Sequence, residues 1–361
     1  MKNFITILLL FCTLNILAQG EANFWFFGKN AGLNFNGGTP TPISGSLNTI
    51  EGCASFSNSL GNLLFYTDGT MVWNKNHQIM PNGTNLKGHS SSTQSAIIVP
   101  HPGNTNLFYI FTVGANDYNP AGQLISATTG LQCYTIDMTA QGGLGDVVNG
   151  SVDLSNGDNA NWTEKITSVK GAECNTFWII SLVRNTFVSF KIDLNGLNTT
   201  PTISPVNYTE TDPRGYLKVS PDGKKLASAA QGDRGNLLLY SFNDITGIVS
   251  NDGKTLISNI SQDGEAYGVE FSPLSSKLYC ATYNYTTKTN KLFQFDLESP
   301  NIASSKILIK SQIGFRGALQ LAPNGKIYAL VPPDYDHGTH FLHAINLPDE
   351  LGANCNYQLN A

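Results

Sequence analysis

Apolar and polar residues alternate with period two along most of this chain, in short runs bounded by Gly, Asn, Asp and Pro. Such alternation sets one face of an extended strand against a core and the other toward solvent. Tyr216 to Ser220, Lys225 to Ala229 and Leu237 to Asn243 read as three successive strands. Phe187 to Asp193, Lys291 to Asp296 and Phe341 to Asn346 repeat the third of them, and Lys306 to Lys310 reads as an outer fourth. No stretch beyond the first residues carries a helical period.

The strands come in a repeated order. An apolar run ends in a Ser-Pro or Ala-Pro turn, a polar pair or Gly follows, and Lys opens the next apolar run. The phrase is Leu-Lys-Val-Ser-Pro-Asp-Gly-Lys-Lys-Leu-Ala at 217–227, Val-Glu-Phe-Ser-Pro-Leu-Ser-Ser-Lys-Leu-Tyr at 269–279 and Leu-Gln-Leu-Ala-Pro-Asn-Gly-Lys-Ile-Tyr at 319–328. Looser copies run from Ala54 to Tyr66, Ala96 to Ile110 and Ile166 to Ile180. The apolar residues before the turns are Phe56, Val99, Val169, Val219, Phe271 and Leu321. A spacing of about 40–50 residues with several short strands per unit predicts an all-β fold, a β-propeller with WD40-like repeats.

Six inner strands are visible, preceded by three outer ones in Phe24 to Phe27, Gly32 to Phe35 and Pro42-Ile43. This predicts seven blades, the first lacking its inner strand, with 23–43 lying beside the last blade at 317–347. The alternative is a six-bladed ring with 23–43 draped over it. The long interval between Val99 and Val169 is read as a surface loop over 142–161.

At 361 residues, with 35 Gly, 16 Pro and only 13% charged residues, the chain suits one propeller domain over 19–361. The formal net charge of −5 and the lack of a Lys/Arg run exclude nucleic acid as the expected partner. Lys2, the apolar run from Ile5 to Leu17 and Ala18 read as a cleaved signal peptide over 1–18, leaving no membrane span. The product is expected to be secreted or held at the cell surface. Five cysteines follow the leader. Cys280 is read as a free buried thiol, and Cys53 and Cys355, near opposite chain ends, as a possible disulfide that ties the ring shut.

Counting back five residues from each phase position reaches the start of each inner strand. The residues there are Glu51, Gln94, Glu164, Arg214, Ala266 with Glu265 beside it, and Arg316. In a propeller, equivalent inner-strand positions gather at one channel mouth. Glu51, Gln94, Glu164, Arg214, Glu265 and Arg316 are therefore the candidate ligand-binding residues. Such a ring grips a polar ligand or a Ca²⁺ ion, or else pairs internally and holds the mouth together. If the role is structural, each arginine should contact a carboxylate of a neighbouring blade. Tyr118, Tyr283 and Tyr285 are candidates for stacking on sugars or peptides. His337, His340 and His343 cannot converge on a strand, so no metal site is assigned to them, and no catalytic residue is assigned anywhere.

Longer stretches carry a resemblance. Trp25 to Phe35, Glu51-Gly-Cys-Ala54, Thr67-Asp-Gly69 with Val72 to His77, Ser91 to Pro100 and Gly352 to Tyr357 resemble the N-terminal propeller of gliding-motility-associated surface proteins of Bacteroidota. That resemblance covers 23–358 and implies type IX secretion, with this chain a fragment or short version of a longer surface protein. The expected function is an exported, non-enzymatic module that binds protein or polysaccharide at the cell surface. The alternatives are a metal-dependent, lactonase-like hydrolase, with Glu51, Glu164 and Glu265 holding Ca²⁺, and a purely structural role in surface assembly.

Overall fold

The computed structural model describes residues 20–118, 123–209, 212–232, 235–258 and 263–361. Seven small antiparallel sheets stand side by side as the blades of a seven-bladed β-propeller, with helix among the described residues confined to short 3-10 turns. Blade 1 is Phe24–Phe27, Lys29–Asn34 and Thr41–Asn48, and blade 2 begins with the inner strand Ala54–Ser57. The inner strands of blades 3 to 7 are Ala96–Pro100, Trp162–Lys170, Leu217–Val219, Glu265–Phe271 and Ala318–Leu321. Among the described residues no helix is long and apolar enough to cross a membrane.

The repeated phrase is a hairpin with a fixed hydrogen-bond pattern. In blade 5, Gly223 N–H donates to Ser220 O at 2.8 Å, and Ser220 N–H donates to Lys225 O at 2.9 Å. Blade 7 repeats this with Gly325 and Ala322, and blade 6 with Ser275 and Ser272. The third residue after the Ser or Ala must take a positive φ: 73° at Gly223, 76° at Gly325 and 58° at Ser275. Glycine reaches that region without a Cβ clash, which explains two of the three choices. Ser275 is strained there, but its Oγ accepts the Asp222 N–H of the neighbouring blade at 3.0 Å.

Blade faces pack on one another through seven apolar clusters. One is Phe271, Phe293 and Phe295 of blade 6 against Leu237 and Leu239 of blade 5. Another is Ile166, Ile179 and Phe190 of blade 4 against Phe111 and Cys133 of blade 3. The ring closes where Trp25, Leu33 and Phe35 of blade 1 meet Ala322, Tyr328 and Ala344 of blade 7. Trp25 and Tyr328 meet edge to face at 5.9 Å. Segment 23–43 thus lies beside the last blade, as its outer-strand pattern predicts.

Three expectations are corrected. The extra length between Val99 and Val169 is not a loop over 142–161, because Asp146–Asp153 is the fourth strand of blade 3. The insertion lies earlier, in a small hairpin of Asp117–Tyr118 and Leu124–Ser126. The expected strand Phe341 to Asn346 shrinks to His343–Ile345. Cys53 and Cys355 form no disulfide: both are free, because Cys355 packs with Tyr279 and Ile345 between blades 6 and 7 while Cys53 packs with Phe26 and Tyr66 between blades 1 and 2.

Candidate functional site at the channel mouth

The inner strands are tied to one another at their starts by backbone hydrogen bonds. Gly52 N–H reaches Ser92 O at 3.0 Å, Gln94 N–H reaches Glu164 O at 3.3 Å and Glu164 N–H reaches Pro213 O at 3.1 Å. Farther round, Tyr216 N–H donates to Tyr267 O at 2.9 Å. This close approach requires glycine at 52, where a Cβ would fall 2.0 Å from Ser95 N. Glu51 is thereby pressed against the loop at 90–95 and directed into the channel.

Two networks result. In the first, Glu51 accepts from Tyr267 Oη at 2.9 Å and from Arg316 Nη1 at 3.3 Å. Arg316 Nη2 and Gln231 Nε2 both donate to Tyr285 Oη, at 3.0 and 2.7 Å. The Arg316 guanidinium also stacks over Tyr267 and Phe315, 5.2 and 5.0 Å from their ring centres. In the second, Glu164 Oε2 accepts from Thr93 N–H at 2.9 Å and Thr93 Oγ1 at 2.8 Å. Lys165 Nζ donates to Pro213 O and Arg214 O at 3.1 and 2.8 Å.

Electrostatics follow from burial. Glu51 is pushed up to about 7 by desolvation, with the nearby Glu164 adding to the rise and Arg316 and Tyr267 opposing it. Desolvation also raises Glu164 and Glu265, against hydrogen bonds that favour their charged forms. Burial holds the Tyr267 phenol well above its usual value, so it remains a donor to Glu51. Cys53 keeps part of its surface accessible, yet desolvation pushes its thiol up to about 12 with Asp68 adding to it. That thiol is not a nucleophile at neutral pH.

Of the six residues expected at the mouth, five are electrostatic neighbours around Arg214 and Glu51. Gln94 plays another part: its Oε1 accepts from Leu217 and Ile166 N–H at 2.8 and 3.3 Å, stapling blades 4 and 5. Arg316 meets a carboxylate of another blade, but Arg214 does not. It forms a two-pronged pair with Asp212 two residues before it, Nε to Oδ1 at 2.8 Å and Nη2 to Oδ2. Glu265 Oε2 accepts from Gly232 N–H at 3.4 Å. Glu51, Glu164 and Glu265 thus direct oxygens at protein donors, and among the described residues no three His, Cys, Asp or Glu converge on a metal position.

Sequence reading missed Tyr267, Gln231, Asp212, Thr93 and Tyr335. Thr93 directly precedes Gln94, Asp212 lies two residues before Arg214, and Tyr267 follows Ala266 on the strand, whereas Gln231 and Tyr335 sit in loops without a repeated pattern. Tyr283 and Tyr285 contribute to an aromatic wall: Tyr283 meets Tyr285 at 4.7 Å and Phe315 at 4.8 Å, and Phe315 meets Tyr335 at 5.8 Å, all edge to face. Tyr285 is 40% and Tyr335 56% exposed. The side chain of Tyr118 lies outside the described residues. His343 is buried on its strand against Gln312, whereas His337 and His340 stand exposed in a loop, His337 paired with Asp334.

Comparison with known proteins leaves the fold class resting on the strand pairing itself. No family model and no curated protein matches the chain. Solved structures similar to it include a proposed 6-phosphogluconolactonase from Bacteroides uniformis, 14% identical over 87% of this chain and 72% of that one, TM-score 0.44. The β-propeller domain of Cps50 (Swd1) from Myceliophteria thermophila is 12% identical over 86% and 94%, TM-score 0.47. A protein from Lactobacillus plantarum is 14% identical over 94% and 93%, TM-score 0.46. Likenesses this distant carry no argument about activity.

Proposed function

We propose that this propeller is an exported, non-enzymatic binding module whose channel mouth takes polysaccharide. The observation that carries the reading is the aromatic wall of Tyr285, Phe315 and Tyr335 standing against the Arg316–Glu51 network. Half-exposed rings supply flat apolar faces for a sugar, and the adjoining charges supply directional hydrogen bonds. Arg316 Nε and Gln231 Oε1 are buried without partners, one a donor and one an acceptor, and both side chains meet at Tyr285 Oη. A sugar hydroxyl that displaces the phenol both accepts and donates, and so suits that pair. In retention assays against a panel of surface polysaccharides, Tyr335→Ala should weaken binding at least tenfold. Tyr335 is exposed, so its melting temperature should stay within a degree or two. Failure of the wild-type protein to retain any polysaccharide would remove this reading.

Export and a place on a gliding bacterium's surface rest on the leader and on the resemblance carried by Trp25 to Phe35 and Gly352 to Tyr357. Mass spectrometry of protein recovered from the medium or the cell surface should find it starting at or near Gln19. A retained Met1 in that material would refute export by cleavage.

A further inference from the structure

In every blade the innermost described strand pairs on one side alone; blade 1 differs in that this strand, Phe24–Phe27, which pairs with Lys29–Asn34 and leaves its other edge open among the described residues, is not an inner strand. Phe26 N–H points to that open edge and is met by Ser55 Oγ of blade 2 at 3.2 Å. Phe24–Phe27 holds the place of a second strand. Phe26 stacks on Tyr66, in the second strand of blade 2, at 4.2 Å, and Trp25 meets Tyr328, in the second strand of blade 7. The inner walls of the gap are correspondingly open. On the sides that face the gap, Ser55 of blade 2 is only half-buried and Gln320 of blade 7 is exposed, whereas Glu270, at the place in blade 6 that matches Gln320, is buried; Ala54 and Phe56 turn instead toward blade 3, and Leu321 toward blade 6. The two clusters that blade 1 shares with its neighbours hold four buried residues each; the other five hold between eight and fourteen. Between blades 7 and 2 the described links at the mouth are side-chain ones, chiefly Arg316 to Glu51.

We propose that this gap is a strand-acceptor site, filled by an extended segment of a partner that pairs antiparallel with Phe24–Phe27. The site continues interfaces that the ring already uses between neighbouring inner strands, which defines the chemistry of its occupant. The six inner strands share a polar residue, with a small one after it in most blades; in five of the six, blade 4 with its Thr167 being the exception, two apolar residues separated by one follow, and in four of six a closing Ser or Ala. The residue between the apolar pair is Lys218, Glu270 and Gln320 in blades 5 to 7, where Lys218 Nζ reaches Glu270 Oε2 at 3.0 Å and Gln320 Oε1 at 2.8 Å. This polar line runs up to the gap, so the occupant is polar at that place too. Strand addition supplies affinity through backbone pairing and specificity through alternate side chains. The occupant is a separate strand of that pattern, not a second copy of the propeller.

The test uses an 11-residue peptide with the blade 7 inner-strand sequence 316–326 as probe and its scrambled version as control. Saturable binding at least tenfold tighter than the control, a raised melting temperature, and new hydrogen-exchange protection at residues 24–27 are expected. Gln320→Trp places bulk in the gap from an exposed position and should weaken peptide binding at least tenfold while leaving the fold intact. Equal affinity for both peptides overturns the proposal. So does strong protection of the outward Phe24 and Phe26 amides in the protein alone, as a dimer if a second copy fills the gap, or as a monomer if the chain's own N-terminal residues do.

Discussion

Replacing Arg316 by alanine is expected to cost about 3 kcal/mol of stability at pH 8 and distinctly less at pH 5. The Arg316 and Glu51 side chains are only 9% and 12% exposed, so the pair is largely shielded from water. It also bridges blades 7 and 2 across the gap at blade 1. Removing the guanidinium at pH 8 leaves a buried carboxylate with Tyr267 as its remaining donor, and removes the stacking over Tyr267 and Phe315. At pH 5 Glu51 carries a proton, so no uncompensated charge remains and the loss shrinks toward the packing contribution. Urea unfolding of both proteins at the two pH values measures this. A loss of the same size at pH 5 and pH 8 would show that the ion pair is not what holds that side of the ring.

Stability of the unmodified protein should itself fall as pH rises from 5 to 8. Glu51 binds its proton with a value near 7 when folded, against an ordinary value of 4.5, so between these the folded state holds more protons than the unfolded state. Stability therefore decreases with pH through that window, is fully present below 4.5 and levels off above 7. The difference amounts to about 3 kcal/mol for this group. Glu164 and Glu265 are raised as well and act in the same direction. Carboxylates held low, such as Asp222, act oppositely but only at more acid pH. Glu51→Gln keeps the shape and removes the titration, so its stability should vary much less over this range. If glutamine leaves the slope unchanged, another group is responsible.

The leucine-rich and aromatic wording of blades 5 to 7 was legible because each strand reports its own burial through alternation, and each turn through its Ser-Pro or Gly. Blade 3 was misread where this grammar weakens. Val147 is the one fully buried residue of Asp146–Asp153, so the strand carries almost no apolar periodicity and its Gly and Asn read as loop. The Cys53–Cys355 pairing failed for a related reason. Proximity of chain ends in a ring says nothing about which face of a blade a thiol occupies, and these two face different interfaces.

Sequence alone determined the six repeated inner strands, their phase and the polar residues near the start of each, because those properties repeat and each depends on neighbours a few residues away; it favoured seven blades but left a six-bladed ring open, which the packing of blade 1 against blade 7 decided. Tertiary structure decided what these residues do. The same offset yields a staple at Gln94, a local pair at Arg214 with Asp212 and a cross-ring pair at Arg316 with Glu51. The difference comes from partners more than two hundred residues apart in the chain, in the case of Glu51 with Tyr267, and from burial that moves a carboxyl to near neutrality. Distance along the chain encodes neither, since both arise only when the ring brings the strand starts around one water-poor mouth.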